Sequence, residues 1–155
     1  LITGQRLGDI SRMKFTDVWD DHLHIEQEKT GSKIAIPLAL RCDAINWSLR
    51  EVIARCRDYA VSPYLVHFLH STSQAERGAQ VKARTLTMNF SKARDKAKID
   101  WGDGTPATFH EQRSLAERLY EAQGIDTQKL LGHKSPNQTA QYHDDRGKDW
   151  VKVAL

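Results

Sequence analysis

The stretch TFHEQRSLAERLYE, residues 108–121, predicts the central helix of this chain. Its first threonine can cap a helix that runs to about Gln123, where Gly124 ends it. His110 and Arg113 are three positions apart, so both side chains project from one face of that helix. One turn therefore presents a proton-transfer group beside a fixed cation, although a lone pair of this kind is usually an ordinary surface feature.

The composition fits one globular domain with a substantial core. The chain has 155 residues, of which 39% are hydrophobic and 28% charged. A net charge of +3 is compatible with a polyanionic partner but mild for a protein that binds DNA by charge alone. Cys42 and Cys56 have neither metal-ligand nor disulfide-dense spacing, and no run approaches the roughly 18 apolar residues of a membrane span. We therefore expect a cytoplasmic protein with reduced thiols.

The apolar spacing around the central helix predicts both helices and strands. Period-2 runs at 15–19, 22–27 and 33–38 indicate a small antiparallel sheet, with Lys29 at a strand end or turn. The other predicted elements, in chain order, are a helix over 5–13, a helix over 42–58, a candidate strand at 64–69, a mobile loop at 71–84, a helix near 85–98 capped by Thr85 or Thr87, a short helix ending near Gly132, and a terminal strand in 150–155.

The segment LLGHKSPNQTAQYHDD, residues 130–145, holds two further candidates. His133 follows a glycine at a predicted helix end, and Ser135-Pro136 can begin another helix that carries Tyr142. A phenol with an ordinary pKa of about 10 is a poor nucleophile at neutral pH. Taken alone, Tyr142 is read equally well as a packed aromatic side chain.

The candidate residues are more informative together, because they occur in a characteristic order within characteristic flanking sequence. TGQR contains Arg6, EKTG contains Lys29, HEQR contains His110 and Arg113, LGH contains His133, and Tyr142 follows in QYHDDRGKDW. This set resembles the tyrosine recombinases, and most closely the integrases of lambda-like phages, over nearly the whole chain. The sequence departs from the family pattern at Gln112, which stands where many members of the family carry an apolar residue.

The resemblance implies a fold and a reaction. The fold would be α+β, a mostly helical catalytic domain with a small antiparallel sheet at one side. Tyr142 would attack a DNA phosphate to give a 3′-phosphotyrosyl link, and Arg6 and Arg113 would clamp the phosphate oxygens in place of a metal ion. Lys29 would protonate the leaving 5′ oxygen, His110 would assist proton transfer at the tyrosine, and His133 would donate a hydrogen bond to the phosphate.

The resemblance also implies partners. These are duplex DNA at specific attachment sites, other protomers that assemble into a tetramer on DNA, and DNA-bending accessory proteins, with no cofactor, metal or membrane. Because the chain begins at Leu1 without Met, we expect residues 1–155 to be a catalytic fragment that lacks upstream DNA-binding domains. The terminal strand is expected to pair in cis or with a neighbouring protomer, and this pairing would move Tyr142 into or out of the site.

Other functions compete with recombination. A type IB topoisomerase uses the same nucleophile, and a catalytically silent DNA-binding module would keep the fold without the chemistry. A metal-dependent nuclease lacks a suitable carboxylate cluster in this sequence. The histidine pairs at 22/24 and 67/70 suggest zinc only weakly, and the basic run at 92–98 is either a DNA contact or a solvated face.

Overall fold

The computed structural model describes residues 1–133 and 150–154, and it has the expected α+β architecture. The helices are α1 (Leu7–Arg12), α2 (Leu49–Arg55), α3 (Ala83–Lys96), α4 (Glu111–Ala122) and α5 (Thr127–Leu131), with single 3-10 turns at Phe15–Asp17 and Asp43–Ile45. The strands are β1 (Val18–Trp19), β2 (His22–Glu26), β3 (Lys33–Pro37), β4 (Arg41–Cys42), β5 (Trp47–Ser48) and β6 (Val151–Lys152).

The main sheet has the order β1-β2-β3-β6. β2 and β3 form an antiparallel hairpin in which His22 faces Pro37 and Glu26 faces Lys33. Lys29 lies in the turn of this hairpin, as the sequence predicts. β6 adds to β3 in parallel within the same chain, so the sheet is antiparallel except for this last pair. β4 and β5 form a separate two-stranded ribbon.

The hydrophobic core lies between this sheet and helices α2, α4 and α5. Tyr120 of α4 is fully buried, and its hydroxyl donates to the carbonyl oxygen of Ile2 at 2.7 Å. Burial raises the pKa of Tyr120 above its ordinary value, so this phenol is an inert core residue. Tyr59, by contrast, is 57% exposed.

The helix predicted over 42–58 is shorter than the apolar stripe suggests. Residues 41–48 form the β4–β5 ribbon, and α2 begins only at Leu49. Ser48 caps it in a capping box, accepting from the backbone N–H of Glu51 while the Glu51 carboxylate accepts from Ser48. Ile45, which is spaced to share one apolar helical face with Leu49 and Val52, is 42% exposed. The local cap and the left-handed Asn46 therefore outweigh the apolar period.

Two further predictions need correction. Residues 64–69 form two isolated bridges, Lys14 with Tyr64 and His67 with Gln80, rather than a strand. α3 begins at Ala83 without a threonine cap, and the hydroxyl of Thr87 instead donates to the Ala83 carbonyl oxygen. α3 packs on α1, next to the candidate site.

The terminal strand is confirmed as β6, paired in cis. The helix predicted to carry Tyr142 lies outside the described residues. Among the helices of the described residues, none is long and apolar enough to cross a membrane.

Candidate active site

Three of the predicted residues line one cavity. Arg6, His110 and Arg113 border a space of about 240 Å³. Arg6 precedes α1, whereas His110 and Arg113 both lie at the N-terminus of α4, His110 as its N-cap and Arg113 within its first turn. The other lining residues are Gln5, Leu7, Thr87, Thr108 and Phe109. The first segment of the chain and α4 therefore meet, as the predicted site requires.

Arg113 is the most constrained cation of this site. It is 8% exposed, and its Nη1 and Nη2 atoms donate to the carbonyl oxygens of Gly4 at 2.8 Å and Leu131 at 2.6 Å. Burial lowers the pKa of Arg113, and the neighbouring charge of Arg6 lowers it further. A guanidinium remains charged even so, and an anion at this position would relieve the repulsion between the two cations.

Arg6 is half-buried at the N-terminal boundary of α1. Its Nη1 atom donates to Oε1 of Gln27 at 2.9 Å, a contact that fixes one corner of the guanidinium. A guanidinium presents five N–H donors, so the remaining edge suits two oxygens of a phosphate. Gln27 thus holds one corner of the Arg6 guanidinium, and the other edge is available to a ligand.

His133 reaches the same site from the end of α5. Gly132 adopts a left-handed conformation (φ +64°), and the backbone N–H of His133 donates to the carbonyl oxygen of Gln128 at 3.0 Å. Nε2 of His133 lies 3.3 Å from Nη2 of Arg113. If Nε2 accepts from the guanidinium, Nδ1 carries the proton and is the nitrogen that can donate to an anion.

His110 is exposed, and it borders the cavity from the N-cap position of α4. A turn formed by Thr108 and Glu111 holds His110 at this position. The turn differs from the predicted cap, in which the Thr108 side chain would accept from the helix. The Glu111 carboxylate accepts from the backbone N–H of Thr108, and the Thr108 carbonyl oxygen accepts from Glu111 N–H at 3.3 Å. Thr108 therefore contributes its main chain, and the helix starts two residues later than predicted.

Lys29 is not part of the cavity lining. It is exposed in the β2–β3 turn, which is closed by Gln27 N–H to the Ser32 carbonyl oxygen at 2.9 Å and Gly31 N–H to the Gln27 carbonyl oxygen at 2.8 Å. Tyr142, the predicted nucleophile, lies outside the described residues. Within the described residues, the fold thus brings together Arg6, His110, Arg113 and His133. Lys29 lies at the surface, two positions after Gln27 in the sequence.

A family model described as "Phage integrase family" matches residues 1–148. This chain belongs to the phage integrase family. Over its full length it is 81% identical to prophage integrase IntE of Escherichia coli (strain K12) and 67% identical to the integrase of Enterobacteria phage P21, and it covers 41% of each. The chain thus spans about two-fifths of the length of these curated relatives.

Solved integrase structures match as well. The lambda integrase catalytic core superposes with a TM-score of 0.77 at 36% identity, covering 99% of this chain and 81% of that one. A lambda integrase tetramer bound to a Holliday junction gives a TM-score of 0.74 at 38% identity, covering 92% and 40%. The integrase resemblance inferred from the motifs and the predicted α+β fold are both confirmed.

Sequence reasoning missed three buried polar residues beside this candidate site, Gln5, Asp9 and Gln27. Oδ1 of Asp9 accepts from Nη2 of Arg12 at 2.8 Å and from the backbone N–H of Glu28 at 3.0 Å, which ties α1 to the end of β2. Asp9 also favours the charged form of Arg113. Polar residues are usually exposed, so nothing in the sequence marks these three as buried.

The histidine pairs considered for zinc have other partners. Nδ1 and Nε2 of His67 lie 2.8 Å from the Tyr64 carbonyl oxygen and 3.1 Å from Oδ1 of Asp58, respectively. His24 stacks on Trp19 with ring centroids 3.4 Å apart. Within residues 1–133 and 150–154, no group of three or more His, Cys, Asp or Glu side chains could hold a metal ion.

Proposed function

We propose that residues 1–155 are the DNA breaking and rejoining domain of a longer, site-specific tyrosine recombinase. The observation that carries this proposal is the meeting of Arg6 and Arg113 at one cavity, with Nε2 of His133 3.3 Å from the Arg113 guanidinium. Two cations held together with His110 suit a phosphate that gains negative charge during reaction. The span of about two-fifths of the curated relatives supports the assignment to one domain of several.

The proposed reaction begins with Tyr142. Its phenolic oxygen attacks the phosphorus and forms a new P–O bond, while the bond from phosphorus to the 5′ oxygen breaks. His110 assists removal of the phenolic proton, and Lys29 gives a proton to the departing 5′ oxygen. The products are a 3′-phosphotyrosyl link and a free 5′ hydroxyl. Reversal by another 5′ hydroxyl rejoins the strand without ATP, because the phosphotyrosyl bond retains the energy of the broken bond.

The arginines supply the electrostatic part of catalysis. Arg6 and Arg113 bind the non-bridging oxygens, and His133 donates to the same phosphate. Positioned charge of this kind is the main requirement of phosphoryl transfer, since little covalent work falls to the protein. Carbonyl groups of Gly4 and Leu131 hold Arg113 before DNA arrives, so little reorganisation is needed during the reaction.

The proposed partners are duplex DNA at attachment sites and further protomers. The similar structures include a lambda integrase dimer bound to a COC′ core site and a lambda integrase tetramer bound to a Holliday junction. By likeness to them, we assign this chain the same kind of substrate and a tetramer as its working assembly. DNA-bending accessory proteins would assist, and the reaction would occur in the bacterial cytoplasm, where the host DNA lies.

A strand-exchange assay tests this function against its rivals. The full-length protein is mixed with two duplexes carrying the junction sequences of the E. coli prophage whose integrase is 81% identical, in EDTA and without ATP. Recombinant duplexes are the expected product. Relaxation of a supercoiled plasmid without exchange would instead indicate a topoisomerase, and DNA binding without cleavage would indicate a silent binding module.

A further inference from the structure

Gln27 connects the separate parts of the candidate site. It follows β2, is 1% exposed, and makes four side-chain hydrogen bonds. Its Oε1 accepts from Nη1 of Arg6 at 2.9 Å and from the hydroxyl of Thr30 at 2.7 Å. Its Nε2 donates to Oε1 of Gln5 at 2.7 Å and to the carbonyl oxygen of Leu131 at 2.9 Å. An amide oxygen accepts two bonds and an amide nitrogen donates two, so this side chain is fully used.

These partners determine the orientation of the amide. A flipped Gln27 would point its NH₂ group at the Arg6 guanidinium and its oxygen at the Leu131 carbonyl, two contacts without a hydrogen bond. Space restricts the side chain as well. A Cβ atom at Gly132 would lie only 2.9 Å from Oε1 of Gln27, so the turn after α5 packs directly on the amide.

Three of the four partners of Gln27 lead to different catalytic candidates. Arg6 is bound directly, and Arg113 is reached through the Leu131 carbonyl oxygen, which accepts from both Gln27 and Arg113. Thr30 lies next to Lys29 in the β2–β3 turn. One buried amide therefore touches the phosphate clamp on one side and the turn of the general acid on the other.

We propose that Gln27 is a positioning residue that aligns the arginine clamp with the Lys29 turn, an inference that rests on the proposed recombinase function. Gln27 is buried, so it acts through Arg6 and the β2–β3 turn and not on the phosphate itself. It holds one corner of Arg6 so that the other edge faces the phosphate, and it sets where the turn carrying Lys29 begins. Reacting groups must be placed to within fractions of an ångström, so loss of either contact slows cleavage.

Two variants separate the effect of the Gln27 contact with Arg6 from that of its contact with the Lys29 turn. Gln27→Met keeps the length of the side chain and removes all four hydrogen bonds. Thr30→Val removes the bond from the Thr30 hydroxyl to Gln27, together with the long contact at 3.4 Å that the same hydroxyl accepts from Ser32 N–H within the turn. Ser48→Ala is the matched control for stability, because it deletes the α2 cap and its side chain bonds with Glu51 rather than with the site. Each is compared with wild type by covalent trapping on nicked duplexes carrying the prophage junction sequence.

Two DNA substrates report on different catalytic groups. One has the ordinary bridging 5′ oxygen, and the other has sulfur in its place. A thiolate leaves without protonation because a thiol is far more acidic than an alcohol, so the sulfur substrate does not need the general acid. The ratio of the cleavage rate on the sulfur substrate to that on the oxygen substrate therefore measures how well Lys29 protonates the leaving group. A merely structural defect leaves this ratio unchanged.

We expect Thr30→Val to slow cleavage of the oxygen substrate by about 10- to 100-fold and to recover on sulfur. Gln27→Met should slow both substrates, raise the ratio, and stay below wild type on sulfur because Arg6 is also released. Ser48→Ala should leave the ratio unchanged. Equal loss on both substrates for Thr30→Val, or wild-type cleavage by Gln27→Met, would overturn the proposal. Failure of the wild type to form any adduct would instead refute the proposed function on which it rests.

Discussion

Arg113 combines structural contacts with the chemical task proposed for it. Its two Nη atoms hold the carbonyl oxygens of Gly4 and Leu131, and the same guanidinium borders the cavity with Arg6. Lysine has a point charge in place of a planar fork and cannot make these contacts together. The side chain therefore ties the first residues of the chain to the end of α5 at the site of the proposed chemistry.

We predict that Arg113→Lys keeps DNA affinity within a few-fold of wild type and lowers the cleavage rate by roughly 10²- to 10³-fold, the range for loss of an oxyanion donor. Gel-shift titration and covalent trapping measure the two quantities. Arg41→Lys is the control, because Arg41 bonds to Asn46 and Glu51 away from the cavity. Unchanged cleavage by Arg113→Lys would remove this residue from the clamp.

At the residue scale, the motifs predicted the charged groups but not what holds them. Arg6, His110 and Arg113 surround one cavity as expected, and His133 adjoins it. Gln27 was missed because a buried glutamine has no periodic or compositional signature. The partners of its amide are distant in sequence, namely Gln5 and Leu131. Contacts of this kind arise only from the tertiary fold.

At the scale of elements, the end of α5 places His133. Gly132 ends the helix in a left-handed conformation, and a Cβ atom there would lie 2.7 Å from Cδ1 of Ile34. Gly124 ends α4 with φ +76°, but a Cβ atom there would meet nothing within 4 Å. The two glycines share a backbone requirement and differ in their surroundings, which makes them a matched pair.

We predict that Gly124→Ala lowers the free energy of unfolding by about 1–2 kcal/mol, the cost of a left-handed L-residue. Gly132→Ala should lower it further, because Ile34 and Gln27 must also move, and should slow cleavage as His133 is displaced. Urea unfolding and covalent trapping provide the measurements. Equal effects of both variants on stability and cleavage would show that packing around Gly132 does not position the site.

Observed element boundaries depart from the predicted ones where local hydrogen bonds oppose the apolar periodicity. The apolar stripe predicted a helix from residue 42, whereas the Ser48–Glu51 capping box starts α2 at Leu49. The predicted central helix and the β2–β3 hairpin agree with the structure to within a few residues. Their signals were a clear period and a glycine-containing turn, which need no distant partner.

At the scale of the whole molecule, β6 joins the end of the described chain to its central sheet. Val151 is level with Ile34 in the parallel β3–β6 pair, and the Trp150 ring meets His24 edge to face with centroids 4.6 Å apart. Residues 134–149, including Tyr142, connect α5 to this strand. Any change in how β6 is held therefore acts on the C-terminal end of the segment that carries the proposed nucleophile.

We predict that deletion of residues 150–155 changes the rate of cleavage and the assembly on DNA, because the tyrosine segment loses its C-terminal anchor. Covalent trapping measures cleavage, and native gels of protein–DNA complexes measure assembly. Lys152→Ala is a milder companion, since it keeps the backbone pairing with β3. A truncated protein with wild-type cleavage and assembly would dismiss this role of β6.

Capping carboxylates make the stability of the whole fold depend on acid pH. Hydrogen bonds from Ser48 lower the pKa of Glu51, and those from Lys129 lower the pKa of Asp126. A lowered folded pKa stabilises the fold above the ordinary value of about 4 and ceases to do so as the pH falls through the folded value. Thermal melts should therefore show a Tm that falls on acidification below about pH 4, with Glu51→Gln weakening this dependence.

The most direct test of the account is whether Tyr142 becomes covalently joined to DNA. The full-length protein and its Tyr142→Phe variant are incubated with a nicked duplex bearing the prophage junction, and the adduct is digested and sequenced by mass spectrometry. We predict a 3′-phosphotyrosyl peptide that contains Tyr142 in the wild type and no adduct in the variant. An adduct on another residue, or one that persists in Tyr142→Phe, would contradict the assignment.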